Sequence, residues 1–385
     1  MGLGFFLKTK KDNPMKRTVL ITIVSILATF QATAQTVANG YYRVQNNASA
    51  RYVTIRDNIP GTVDMSSTNI DLSNIVTWKG FDNVKSNPAS IIYVEQVKSQ
   101  YNLKGQGTSI YDIAGGKVYI DLIARDGGLW IMSASYGGFT GRLYDSNDDS
   151  EKGYVKRTGD TAYQYWKFTP VDTDKNYIGL QPNVQVGDSW YGTIYASYPF
   201  KVVSSGVTVY YVDGAKDGVF ELKEVTDAVK PAATPLLFKC SSNDPAKNKI
   251  TPVTDATTAP TDNLLGGTYF ACNVDNHEVY VRYDNSTMRV LGKNDAGELA
   301  FVSASTDYLT KKKFIPMNTC WLNIPAGSTG DFKLVSRDEF TGIRNINATE
   351  ANDNKGTFTL TGVRVNESTL SPGIYIRNGK KVIIK

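Results

Sequence analysis

Asn39-Gly40-Tyr41-Tyr42-Arg43-Val44-Gln45-Asn46, followed by Arg51-Tyr52-Val53-Thr54-Ile55, is the stretch that decides the fold class. Each run is short, rich in β-branched and aromatic residues, and bounded by turn formers, which is how a strand reads. The same pattern returns at 91–94, 118–123, 129–133, 207–212, 279–283 and 374–376. With 23 Tyr and 33 Gly spread between such runs, the spacing predicts an all-β chain of barrels or sandwiches. Long helical periodicity is absent. The one helix expected is short, over 72–81, opened by Asp71 with Ile75, Val76 and Trp78 facing inward.

Ahead of this region, Met15-Lys16-Arg17 leads into an uncharged run over 18–30 and then Ala32-Thr33-Ala34. A charged start, a short apolar centre and an A-x-A site make residues 1–34 a signal peptide, with Met15 the true start and cleavage before Gln35. The run is shorter than the roughly 20 apolar residues a membrane span needs. The opening Met1-Gly2-Leu3-Gly4-Phe5-Phe6 lacks the Ser or Thr of a myristoylation motif, and no cysteine follows the apolar run to take a lipid. Five cations (Lys8, Lys10, Lys11, Lys16, Arg17) and one anion (Asp12) leave with the leader, so +4 of the formal charge of +5 is targeting charge. The nearly neutral remainder has no concentrated basic face, so nucleic acid is not an expected partner. No later segment is apolar enough to span a membrane, and 385 less 34 residues suffices for two or three cores.

The first unit expected runs over 35–172 and closes on Tyr165-Trp166-Lys167-Phe168-Thr169-Pro170-Val171. Its opening hairpin and its closing aromatic strand resemble the ricin-type β-trefoil, which implies a β-trefoil-like domain. The middle, with Lys79-Gly80-Phe81-Asp82 and the run 102–107, departs from a regular trefoil repeat. After a connecting segment over 173–188, a second unit over 189–343 carries Gly206-Val207, Tyr210-Tyr211-Val212, Pro231-Ala232, Leu264-Leu265-Gly266 and Leu322-Asn323-Ile324-Pro325 in order. That order resembles a module of Bacteroidales surface proteins and implies a β-sandwich-type domain. An Asn- and Asp-rich linker spans 344–356, too polar to bury a core. The tail over 357–385, with Phe358-Thr359-Leu360-Thr361-Gly362 and then Gly373-Ile374-Tyr375-Ile376-Arg377-Asn378-Gly379-Lys380-Lys381, resembles the carboxy-terminal sorting tail of type IX secretion. The resemblance implies a short β tail, a sorting-machinery partner, and a location at the cell surface or beyond. Asn378-Gly379 is the dipeptide of a two-residue hairpin turn.

Chemistry is restricted by what the chain contains. His277 is its only histidine, so H-E-x-x-H zinc chemistry and three-histidine cages are impossible, and no G-x-S-x-G elbow accompanies it. Cys240, Cys272 and Cys320 lie too far apart for a metal cluster and read as small buried residues on strands. The run from Asp145 to Glu151 alternates oxygen ligands, but an EF-hand begun at Asp145 would need Gly and Glu where Ser150 and Lys156 stand. No cofactor or metal is expected. Sugar recognition needs an aromatic face beside hydrogen-bonding side chains, and Trp130, Tyr136, Arg142, Tyr144 and Asp145 are the candidate ligand-binding set. The function expected is a non-catalytic binding or adhesion protein outside the cytoplasm, with glycans or host and surface proteins as partners. The alternatives are a structural envelope component and a glycoside hydrolase using paired carboxylates.

Overall fold

The computed structural model describes residues 35–55, 72–109, 112–113, 116–117, 119–136, 139–145, 152–158, 162–216, 218–269, 281–310, 313–340, 356–360, 364–366, 370–377 and 380–384. The leader, Cys272, His277, Asn378 and Gly379 lie outside the described residues. What is described is almost entirely strand, as the alternating runs require.

The amino-terminal unit contains β1 (Gly40–Asn46), β2 (Arg51–Ile55), β3 (Leu72–Lys79), β4 (Ile92–Val97) and β5 (Gln100–Gly105). The short strands β6 (Thr108–Ser109), β7 (Asp112–Ile113) and β8 (Gly116–Lys117) follow. Then come β9 (Ile120–Arg125), β10 (Leu129–Tyr136), β11 (Phe139–Asp145), β12 (Lys152–Thr158) and β13 (Tyr165–Pro170). Pairing closes β1, β4, β5, β9, β10 and β13 into a ring, and the hairpins β2–β3 and β11–β12 pair with each other to close a second ring through β1, β13 and β10. Closure satisfies backbone groups that an open edge would leave bare. The middle of the unit supplies only the two-residue strands β6 to β8, where three equivalent lobes would require another full hairpin. Tyr42, Val44, Val53, Ile92, Val94, Leu103, Trp130, Met132, Leu143 and Trp166 fill the interior. The buried Trp166 indole N–H donates to the Leu143 carbonyl at 2.9 Å, so the largest core side chain leaves no unmet donor.

The helix expected over 72–81 is not formed. Leu72–Lys79 is β3, hydrogen-bonded to β2 on one side and β12 on the other. The β-branched Ile75-Val76-Thr77 favours the pleat, and two waiting partner strands offer more hydrogen bonds than one isolated turn of helix could. Only a 3-10 turn at Phe81–Asn83 follows it.

The second unit begins earlier than the sequence suggests. β14 (Ile178–Gly179) and β15 (Val184–Val186) lie in the stretch read as a connector, and they pair with β22 (Lys249–Pro252) and β16 (Ser189–Ile194). β17 (Phe200–Val202), β18 (Val207–Lys216), β19 (Val219–Glu224), β20 (Val229–Lys230), β21 (Leu236–Cys240), β23 (Leu265–Thr268), β24 (Met288–Lys293), β25 (Leu299–Val302), β26 (Thr319–Asn323) and β27 (Phe332–Ser336) complete it. A four-stranded sheet, β14-β22-β17-β20, stands beside a ten-stranded sheet in which β21 and β18 are interior strands. Strand periodicity shows why both faces of those central strands are apolar. Leu236, Phe238 and Cys240 face one core with Val207, Val209, Phe200 and Ile250, while Leu237 and Val212 face another with Phe301, Cys320 and Leu322. Cys240 and Cys320 are buried free thiols on strands. Burial pushes the Cys240 thiol up to about 11 and that of Cys320 higher still, so both stay protonated and inert at neutral pH. Gly192 in β16 faces Phe238 in β21, and a Cβ there would run into the ring.

The carboxy-terminal tail forms its own sheet from β28 (Thr357–Thr359), β29 (Arg364–Val365), β30 (Gly373–Arg377) and β31 (Lys380–Ile384). Some of the tail's apolar side chains stay uncovered: Leu360 is 64% exposed and Ile383 68%.

Candidate functional site

β1 is buried on both faces, and its two faces have different owners. Tyr42 and Val44 point into the first core, while Tyr41 and Arg43 point across into the second unit. The Arg43 guanidinium is fully enclosed. It donates to the Ser90 hydroxyl at 3.3 Å, to the Val84 carbonyl at 3.1 Å and to the Tyr177 carbonyl at 2.8 Å. The Asn176 backbone and side-chain oxygens each accept from it at 3.1 Å, and Phe81 lies under its plane at 5.1 Å. Desolvation lowers its pKa to about 10, which leaves it charged at neutral pH and held by carbonyl dipoles. Further along the same seam, Gln106 and Asn318 exchange amide hydrogen bonds at 3.1 and 3.3 Å, both buried. The two units are therefore joined through hydrogen-bonded, dehydrated polar groups, an arrangement that is costly to separate.

Where this seam opens to solvent it forms a groove of about 390 Å³. Three separate pieces of chain line it: Asn39–Tyr42 at the start of β1, Pro170 and Val171 after β13, and Pro252–Asp255 after β22. Tyr41 is packed against Tyr93, with ring centres 4.9 Å apart, and against Tyr198 at 5.6 Å. Its hydroxyl donates to the Val253 carbonyl at 3.1 Å, which ties the first unit to the second across the groove floor. Burial, with Tyr93 beside it, pushes the Tyr41 hydroxyl up to about 12. Tyr42 donates to the Ala38 carbonyl at 3.0 Å. Asp255 sits at the rim, paired with Lys201 at 2.8 Å. The groove is open to solvent and sets Tyr41 and proline surface beside polar groups in about equal part.

The residues expected from sequence to form a site do not gather there. Trp130 is 5% exposed and belongs to the first core, packed beside Trp166 across the β10–β13 pairing. Asp145 is 0% exposed and is paired with the buried Arg51 at 3.5 Å, accepting also from the Ser49 hydroxyl at 2.5 Å. Those two residues are corrected from ligand contacts to structural ones: the strand register turns them inward, and the carboxylate already has its partners. Arg142 is half-buried and donates to Gln164 at 3.0 Å, and Tyr144 is half-buried on β11 opposite Lys156. Tyr136 ends β10 across from Phe139, and its side chain lies outside the described residues. Sequence reasoning missed Asn39, Tyr41, Tyr42 and Asp255. The adjacent tyrosines of Tyr41-Tyr42, one of which must face away from the core of its own unit, were the available signal.

Among the described residues, no group of three or more His, Cys, Asp or Glu side chains is placed to hold a metal, and no helix is long and apolar enough to cross a membrane. The displaced carboxyls described, Asp284 and Glu298, are lowered: Asp284 by Ser286, and Glu298 by Asn294 and Lys333, at exposed turns. A glycosidase acid would need the opposite direction.

No protein-family model matches this chain, and no curated protein matches it. Among solved structures, one described as the crystal structure of Cry35Ab1 is similar over 48% of this chain and 63% of that one, less than two thirds of its length. Identity is 10% and the TM-score 0.24, so the functional reading rests on the groove and not on this likeness.

Proposed function

We propose that this chain is exported and acts at the cell surface or beyond as a non-catalytic binding or adhesion protein, holding a carbohydrate in the groove between its two units. The observation that carries the reading is the groove itself: Tyr41, two prolines and polar groups around about 390 Å³, with a hydrogen bond between the units at its floor. A sugar presents C–H faces to aromatic rings and hydroxyls to oxygen acceptors, and a pre-formed site loses little order on binding it. Export is supported by the Met15–Ala34 pattern, and delivery through sorting machinery by the tail. The amino-terminal unit is read as trefoil-like on its closed six-strand ring with two attached hairpins.

A second reading, a structural envelope component whose units are spacers, is favoured by the burial of Trp130 and Asp145 and by the locked seam. A glycan array decides between them. The chain from Gln35 onward should bind saturably, and Thr254→Trp, which fills the groove from an exposed position, should abolish that binding with the melting temperature unchanged. Absence of binding across the array would leave the spacer reading.

A further inference from the structure

The groove's hydrogen-bonding capacity is lopsided. Tyr41 has one hydroxyl proton, committed to the Val253 carbonyl, so toward a ligand this hydroxyl offers only lone pairs, while Tyr42 turns its ring into the first core and gives its own proton to the Ala38 carbonyl. Pro170 and Pro252 have no backbone N–H. The Val171 N–H is given to the Tyr41 carbonyl and the Val253 N–H to the Pro199 carbonyl, both at 2.9 Å. Asn39 accepts from the Gln96 N–H at 2.7 Å. Asp255 adds a carboxylate, and the neighbouring cation, Lys201, is already engaged with it. The side-chain donors of the lining are the Asn39 amide and the Thr254 hydroxyl, and its one charged group is the Asp255 carboxylate. The high Tyr41 pKa, about 12, keeps its proton in the floor hydrogen bond throughout the physiological range.

Resting on the carbohydrate reading above, we infer that the groove selects uncharged or amine-bearing glycans and rejects acidic ones. A neutral sugar supplies hydroxyl donors to the Tyr41 oxygen and to Asp255 while its C–H face lies against the Tyr41 ring. A uronate or sulfate needs converging donors or cations, and here it would meet the Asp255 carboxylate, beside Val171 and Val253 amides already given to carbonyls. An amine would gain a charge-assisted contact with Asp255.

The test presents the chain from Gln35 onward with matched glycans of one backbone carrying no charge, an amine, a carboxylate or a sulfate. Neutral and amine-bearing members should bind, and the acidic members should be weaker by about tenfold, the worth of one charge-assisted contact. Asp255→Lys should shrink that penalty and weaken the amine-bearing members, and Asp255→Asn, nearly isosteric at an exposed position, should move both in the same directions by less. If acidic members bind as well as neutral ones, and Thr254→Trp still abolishes binding, the selectivity inference falls and the glycan-binding reading stands. If no member binds, both fall.

Discussion

Two aromatic stretches on strands of the amino-terminal unit that flank β13 have met opposite fates. β10 carries Trp130 and Met132 into the core, and the stretch continues through β11 to Asp145, which is sealed against Arg51. β1 carries Tyr42 and Val44 into the same core but turns Tyr41 and Arg43 outward, where a second unit covers them and leaves a groove at the rim. The two stretches are comparable in composition. What separates them is their neighbours: an outward tyrosine lines a groove only where another unit is placed to form the opposite wall. Alternation assigns side chains to two faces, and tertiary contacts decide what each face meets.

The contrast can be broken most forcefully at Asp145. Asp145→Ala leaves the Arg51 guanidinium buried and unpaired, and denaturant unfolding should show a loss of about 3–5 kcal/mol. An Asp145→Ala protein as stable as the parent would mean that the β11 end is open to water and that the two stretches do not differ. Trp130→Ala should cost about 3–5 kcal/mol by the same measurement, because it empties a large volume beside Trp166. Trp130→Phe, which keeps the fold, should leave glycan affinity unchanged, and a lost affinity would return the site to β10.

Smaller effects sharpen the seam side. A double-mutant cycle of Gln106→Ala and Asn318→Ala should show a coupling of about 0.5–3 kcal/mol, since the two amides satisfy one another across the units. Additive losses would mean that the units fold without regard to each other. Tyr41→Phe removes the floor hydrogen bond and should cost about 0.5–1.5 kcal/mol. The pH dependence follows from the same residue. With the folded Tyr41 near 12 against an ordinary 10, the unfolded chain gives up the proton first, so this contribution to stability is intact below pH 10 and declines as pH rises toward 12. Unfolding curves over that range, compared with Tyr41→Phe, should show the parent losing its advantage. Asp255→Asn, at an exposed ion pair, should move stability by no more than about 0.5 kcal/mol. A large loss there would make Asp255 structural and undo the selectivity assigned to it.

Much of the fold was legible in particular residues. The Tyr41–Val44 alternation, the Leu-Leu-Phe-Lys-Cys run at 236–240 and the Gly373–Arg377 run all become strands, and Cys240 and Cys320 are buried on theirs. β3 was misread because Asp71 offers a helix start and the apolar spacing over 75–78 fits a helical face as well as a pleat. The pairing with β2 and β12, both remote in information content from that window, settled it. β14 and β15 were missed because two- and three-residue strands are below the length at which periodicity can register.

By itself, then, the sequence determined the all-β class and a chemistry poor in histidine and metal-ligand spacing. These depend on local composition and on a period of two, both present in any short window. Only the tertiary structure decided that Trp130 and Asp145 are interior, that Arg43 joins the two units, and that Asn39–Tyr42, Pro170–Val171 and Pro252–Asp255 share one groove. The physical reason is distance along the chain: the groove's walls come from segments that meet only after two cores have formed, and no local pattern records which faces will be brought together.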